Sequence, residues 1–357
     1  MSVGRWVLQG ALVLLLGAAP LALLEGGLRL AGWPTGRVRS FSKLFNYDSR
    51  SWDAGIGVFR PNAETTVMWP PELAYRVHIN SLGLRGPEIE RTARPGRTRI
   101  LALGDSQTFG YFLEEEETWP ARLEARLRAA GLDVEVVNGG CGAWSIDSET
   151  EFLIERGLAL APDRVLVEFF ANDLGDLDRQ THVYSGLKRA VGGFRGSYLQ
   201  LVSSTATYEL LLRARTALEQ RRADDRGAIP GLQTPPPGSD SQWTRYAEWL
   251  DRMRDALAER HVPLTLVYFP YAAEVLHGDN QHFESRLRDL AREREIGFIS
   301  PLDELRAHAD PALYHLPLDE HFAARGVDLI AEVTARELLR ETYDRRSAEA
   351  GGSTQRP

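Results

Sequence analysis

Residues 99–110 read Arg-Ile-Leu-Ala-Leu-Gly-Asp-Ser-Gln-Thr-Phe-Gly, and this stretch decides the fold. Ile100 to Leu103 is a short apolar run closed by Gly104, the pattern of a strand buried on both faces. Gly104-Asp105-Ser106 follows, where a strand ends and a helix is due; Ser and Asp are also ordinary helix caps, so the tripeptide alone reads equally as a turn. Outward from it, Thr118 to Ala130 has the spacing of an amphipathic helix and Val134-Glu135-Val136-Val137 reads as the next strand. Val165 to Phe170 makes a third strand, Leu264 to Phe269 a fourth and Phe298-Ile299 a short fifth, before a final helix near Gly326 to Arg340. Strands separated by helices predict an α/β fold, a three-layer α/β/α sandwich with a central parallel sheet.

The 357 residues are 43% hydrophobic and 26% charged, a globular composition long enough for a sizeable core. A net charge of −8 from 42 basic and 50 acidic residues, spread along the chain, argues against a nucleic-acid groove. Cys141 is the single cysteine, so no internal disulfide forms, and the histidines show no metal-ligand spacing.

Trp6 to Leu24 carries no charge for 19 residues. As a helix the run is roughly 28 Å long, near the approximately 30 Å of bilayer hydrocarbon. Residues 1–32 are therefore expected to be a transmembrane anchor, with a cleaved signal segment as the alternative. Arg5 before the run and Arg29, Arg37 and Arg39 after it leave the orientation open. Residues 33–96, rich in proline, read as an extended stalk or small β appendage. Residues 97–342 are expected to form the sandwich, with an irregular insertion at 176–241 that holds a helix over Tyr208–Arg222 and is followed by a stronger one over Trp243–Arg260. Residues 343–357 read as a disordered polar tail.

Three more segments have a chemical pattern. Asn138-Gly139-Gly140-Cys141-Gly142-Ala143 follows a strand and lets backbone N–H groups approach a ligand. Asn172-Asp173 also follows a strand, where a side-chain amide can donate to a developing oxyanion. Asp319-Glu320-His321 precedes the last helix, with a carboxylate two residues from an imidazole that it can orient. Each could be a plain turn. Their order, at strand ends that share one sheet edge, makes them one constellation.

Gly104-Asp105-Ser106 with Thr108-Phe109-Gly110, the 138–142 loop, Asn172-Asp173 and Asp319-x-His321 together resemble the four blocks of the SGNH (GDSL-type) hydrolase superfamily. Asn80-Ser81-Leu82-Gly83-Leu84-Arg85-Gly86 resembles the lead-in of its membrane-anchored members. The resemblance covers about Arg99 to Leu339. It implies a flavodoxin-like sandwich and a serine esterase or deacylase that acts on an O-acetyl or short acyl ester, possibly on carbohydrate, without cofactor or metal. It also implies Ser106 as nucleophile, His321 as general base, Asp319 as its partner, and an oxyanion hole from Ser106, Gly142 and Asn172. Phe170 replaces the family's usual Gly two residues before Asn, the glycine of the second block falls on Gly142 or Ala143, and Asp-x-His is shorter than the common Asp-x-x-His. Two alternatives stay open: an O-acetyltransferase on an extracellular polysaccharide, and a catalytically silent carbohydrate-binding protein. The partners expected are an ester substrate and a membrane, with the body extracytoplasmic and the oligomeric state unread.

Overall fold

The computed structural model describes residues 3–33, 44, 59–68, 73–177, 201–202, 204–224, 232, 234–316 and 318–352. Its helices are α1 (Val3–Leu30), α2 (Ser106–Phe109), α3 (Trp119–Ala129), α4 (Ile146–Glu155), α5 (Asp173–Asp176), α6 (Ala206–Asp224), α7 (Asp240–Ala258), α8 (Ala272–His277), α9 (Phe283–Glu293), α10 (Leu302–Ala307) and α11 (Ala324–Gly352). Its strands are β1 (Glu64–Met68), β2 (Ala74–His78), β3 (Thr98–Leu103), β4 (Val134–Asn138), β5 (Arg164–Phe169), β6 (Leu264–Tyr268) and β7 (Gly297–Ile299).

The last five strands form one parallel sheet in the order β4-β3-β5-β6-β7. From Ile100 to Leu103 and throughout β6 every residue is buried, because the crossovers of a parallel sheet lay helices on its faces. α3 packs against α11 on one face, while α4 packs against α7 on the other. The chain leaves β3 in one direction for β4, then crosses back to β5 on its far side. The carboxyl ends of β3 and β5 thus flank the crevice where the strand order reverses, and open α/β sheets bind ligands there.

Residues 59–68 and 73–96 do not run out as a stalk. β1 and β2 pair antiparallel from Glu64 opposite His78 to Met68 opposite Ala74, and Phe59, Tyr75, Val77, Ile79 and Leu84 are buried in the same core as the sheet. The Asn80 amide oxygen accepts from the N–H groups of Leu82 and Leu84, which shapes the turn that aims Arg85 inward. Near the amino ends of β3 and β4, Arg99 is fully buried, pairs with Glu135 at 3.0 Å and donates to the Glu90 and Arg91 carbonyls. A buried cation tolerates that position because its donors are used.

α7 begins three residues earlier than its apolar spacing predicts, since Ser239 and Gln242 form a reciprocal capping box. α11 runs to Gly352, into the expected polar tail, because Arg345, Arg346, Ala348, Glu349 and Ala350 are helix formers that extend an existing helix. Residues 353–357 lie outside the described residues, as do 178–200 of the insertion, with Tyr184, Phe194 and Tyr198. α1 is continuous over the expected anchor, but its side chains before Gly17 lie outside the described residues. Among the described residues no helix is long and apolar enough to cross a membrane.

Candidate active site

β3 ends at Leu103, and Asp105 caps the four-residue helix α2 by accepting from the Gln107 N–H at 2.7 Å. This cap sets Ser106 as the first helical residue, where its N–H has no intrahelical acceptor. Ser106 is 9% exposed, at the mouth of the crevice. Gly104 is required by contact: a Cβ there would lie 2.2 Å from the Thr108 hydroxyl oxygen and 2.3 Å from a Glu168 carboxyl oxygen. Glu168, on β5, accepts from the Thr108 hydroxyl at 2.6 Å and from its N–H at 3.1 Å.

His321 arrives on the loop before α11. Its Nε2 lies 2.7 Å from Ser106 Oγ, and its Nδ1 is hydrogen-bonded to Asp319 Oδ1, which also accepts the His321 N–H at 2.9 Å. Asp-x-His thus closes on itself. One carboxylate oxygen takes both the backbone and the ring donor, a geometry that the two-residue spacing permits. The loop is held by the His315 N–H donating to the His321 carbonyl at 2.9 Å, and by the Phe322 N–H donating to the Gln107 amide oxygen at 3.3 Å.

Burial opposes charge on the His321 ring, but its hydrogen bond to Asp319 and the charge of that carboxylate prevail, so the imidazole pKa is raised above its ordinary value. For Asp319 burial pushes up, yet the His321 contacts win and the carboxyl is lowered. Glu320 between them is raised to about 7 by burial and then by the Asp319 charge. His315 is lowered to about 4 by burial and by the neighbouring His321.

Asn172 stands at the end of β5 and donates from Nδ2 to Asp105 at 2.9 Å and to Asp176 at 3.1 Å. Gly142 reaches the same crevice, and its lack of a side chain matters, because a Cβ would sit 2.0 Å from the Tyr111 hydroxyl. Ala143 takes a left-handed conformation with φ of +63°. All five residues expected at the site, Ser106, Gly142, Asn172, Asp319 and His321, therefore line one edge of the sheet. Asp310 pairs instead with Arg325 at 2.9 Å, and Cys141 is buried. Among the described residues no cluster of three His, Cys, Asp or Glu is arranged to hold a metal ion.

A pattern match from 102 to 329 identifies the GDSL-like Lipase/Acylhydrolase family. The chain belongs to this family. A curated relative of this GDSL-family chain is an arylesterase from Vibrio mimicus, 36% identical over 75 residues. That alignment takes in 21% of the chain, which spans 38% of the relative's length. Solved structures similar to it include a lipase/acylhydrolase from Enterococcus faecalis (14% identity, TM-score 0.42, 68% of this chain and 95% of the other). Another is the psychrotrophic esterase EstA from a Pseudoalteromonas species (15% identity, TM-score 0.43, 69% and 99%).

Several residues at the site of this GDSL-family chain have no local signal in the sequence. Tyr111 stacks on the His321 ring with centroids 5.2 Å apart, and Phe112 meets it edge-on at 5.4 Å. Together they fix the imidazole plane and shield it from water. Beneath the site, burial raises the carboxyls of Glu149, Glu168 and Asp173 well above the ordinary range, and the charge of Asp105 raises each of them further.

Proposed function

We propose that this chain hydrolyses carboxylic esters, with an O-acetyl or other short acyl group, through a covalent acyl-enzyme. The reading is supported chiefly by the unbroken hydrogen-bond line from Asp319 through His321 to Ser106 Oγ, which ends at 2.7 Å. His321 Nε2 takes the Ser106 proton as Oγ attacks the carbonyl carbon, and returns it to the departing alkoxide. Water then repeats the sequence on the acyl-enzyme. Asp319 holds the ring with Nδ1 protonated and stabilises the imidazolium that forms.

The negative oxygen of each tetrahedral intermediate is received by the N–H groups of Ser106 and Gly142 and by the Asn172 amide. Both Asn172 amide hydrogens face carboxylates at rest, so the substrate has to displace one. Asp105 is buried and held by its cap role, so the half-exposed Asp176 gives way.

The test is turnover of p-nitrophenyl acetate together with labelling by a fluorophosphonate. Ser106→Ala is expected to lose about 10⁶ in kcat and all labelling; a variant with full turnover overturns the assignment.

The second part of the proposal is an N-terminal anchor with the catalytic body outside the cytoplasm, supported by the uncharged run Trp6–Leu24 and the continuity of α1. Full-length protein is then expected in the membrane pellet after alkaline carbonate washing, with the body open to protease from the extracytoplasmic side. Recovery in the soluble fraction rejects the anchor.

A further inference from the structure

Glu168 is the one acid in the apolar run Val165–Phe170, on the central strand β5, and it is 1% exposed. Its carboxyl lies under the turn that carries Ser106. Oε2 accepts from the Thr108 N–H at 3.1 Å and from the Thr108 hydroxyl at 2.6 Å, and that hydroxyl oxygen accepts from the Trp119 indole N–H at 2.9 Å. A Cβ on Gly104 would lie 2.3 Å from the same carboxyl oxygen, so the turn closes directly on Glu168.

The other oxygen, Oε1, is buried and among the described residues receives no donor. The Glu168 carboxyl instead meets the carboxyl of Asp105 at hydrogen-bonding distance. Asp105 is also 1% exposed, and both its oxygens are in use: Oδ1 accepts from the Gln107 N–H at 2.7 Å and Oδ2 from the Asn172 amide at 2.9 Å. Two carboxyls in contact in a buried site cannot both ionise, since no water screens their repulsion. One shared proton turns that repulsion into a hydrogen bond to a charged group, which is the stronger kind. The donors decide where the proton sits. On Asp105 it would occupy an oxygen that already accepts an N–H, whereas Glu168 Oε1 accepts nothing and is open to carry an O–H. Burial and then the Asp105 charge, which both raise the Glu168 carboxyl, act in the same direction.

We propose that Glu168 is a positioning residue of the site: as a neutral acid it donates from Oε1 to Asp105 and so fixes the carboxylate that holds the Asn172 amide toward the oxyanion. The line runs from Thr108 through Glu168 and Asp105 to Asn172. It ties the turn after β3, which bears the nucleophile, to the oxyanion donor at the end of β5. The inference rests on the esterase reading of Ser106 and Asn172 and deepens it, because these two residues come from different strands and Glu168 sets their spacing. An ionised Glu168 would put a second negative charge behind the amide, where it would repel the developing oxyanion. As an acid it leaves the single charge of Asp105 shared among three hydrogen bonds.

The experiment compares the full chain with Glu168→Gln and Glu168→Leu on p-nitrophenyl acetate, with active sites counted by the endpoint of fluorophosphonate labelling so that unfolded protein drops out. Gln keeps both partners, its amide oxygen accepting from Thr108 and its nitrogen donating to Asp105, and should hold kcat within about threefold of the wild type. Leu removes the donor to a charged group, so kcat should fall about 10- to 100-fold with KM little changed, because the oxyanion contact is made only in the transition state. In an Asn172→Ala background the same Leu substitution should cost less than about threefold, since the amide through which Glu168 acts is gone. If Glu168→Leu does not fold, infrared difference spectra of wild type minus Glu168→Gln decide: near neutral pH the wild type should show the carbonyl stretch of a protonated carboxylic acid that the variant lacks. Unchanged kcat in Glu168→Leu, a Glu168→Gln enzyme as impaired as Glu168→Leu, an undiminished Leu effect in the Asn172→Ala background, or no acid carbonyl band overturns the inference while the esterase reading stands. A wild type inactive on p-nitrophenyl acetate overturns both.

Discussion

The guanidinium of Arg85 donates to the carbonyl oxygen of Gly110 at 2.6 Å, so a residue of the β appendage holds the loop that leads away from Ser106. The same group donates to the carbonyls of Phe109 and Leu113, and its charge lies 4.9 Å from the Phe109 ring centroid. Burial lowers its pKa to about 10, still charged at pH 7. Arg85→Leu strands three buried carbonyls and is expected to cost about 2–4 kcal/mol in urea denaturation. It should also lower kcat, because Tyr111 and Phe112 on this loop pack on His321. Arg85→Lys cannot reach all three oxygens with one fork and should recover only part of the loss. An Arg85→Leu protein with unaltered stability would show that the appendage is dispensable.

What the sequence made legible was local or periodic. Four of the five sheet strands are mostly apolar runs of four to six residues, broken at most by a single Glu135, Glu168 or Thr265, and the Asp319–His321 contact spans two residues, so both were read without tertiary knowledge. α4 was missed because it buries Ser148, Glu149 and Thr150 beside Ile146 and Phe152, which erases the apolar stripe that marks a helix. Residues 33–96 read as an extended stalk or a small β appendage because prolines flank β1, whereas the buried face only becomes apparent once Arg85 is seen to cross 24 residues to Phe109. Tyr111 and Phe112 follow the Ser106 block directly, yet nothing in their spacing shows that His321, more than 200 positions later, lies under them. Glu168 is a lone acid in an apolar run until the fold brings it beneath the turn that carries Ser106.

Gly142 and Ala143 compete for one role, and their backbones separate them. A Cβ at 142 meets the Tyr111 hydroxyl at 2.0 Å and its ring carbon at 2.8 Å, so Gly142→Ala must displace the ring that stacks on His321. Overpacking of this kind costs about 1–3 kcal/mol, and kcat on p-nitrophenyl acetate should fall with it. Gly142→Ala combined with Tyr111→Phe removes the worse contact and should recover part of the activity. Ala143→Gly relieves a left-handed alanine and is expected to keep activity and leave thermal stability equal or higher by up to about 1 kcal/mol. The opposite ranking, with 143 intolerant and 142 tolerant, would move the close approach to Ala143.

Asn172 is held between two carboxylates, so removal of its amide has separable effects. Asn172→Ala deletes one oxyanion donor and should lower kcat by about 10²–10³ with little change in KM. Asp176→Asn leaves the amide in place but removes the anion that competes with the oxyanion for it, and is expected to lose far less activity. A loss in Asp176→Asn equal to that of Asn172→Ala would mean that Asp176 positions the amide and does not have to yield.

The pH profile follows from two opposed shifts. His321 is raised because Asp319 outweighs burial, so the neutral imidazole needed to take the Ser106 proton prevails only above a pH higher than 6.5, the ordinary value. The acid limb of kcat/KM should therefore have its midpoint above 6.5, and Glu320, ionising at about 7, adds negative charge that pushes it the same way. Asp319→Asn removes the hydrogen-bonded charge and leaves burial, which disfavours the imidazolium. The midpoint should then fall below 6.5 while kcat drops by about 10³–10⁴. Stability carries the signs of the same pair. The part due to raised His321 is present below its unfolded pKa and lost as pH rises through the folded one. The part due to lowered Asp319 is present above about 3.8 and lost as pH falls through its folded value. Urea denaturation of the wild type minus Asp319→Asn should thus show the pair contributing most between about pH 4 and 6.5. A midpoint that stays put in Asp319→Asn would assign the acid limb to a group other than His321.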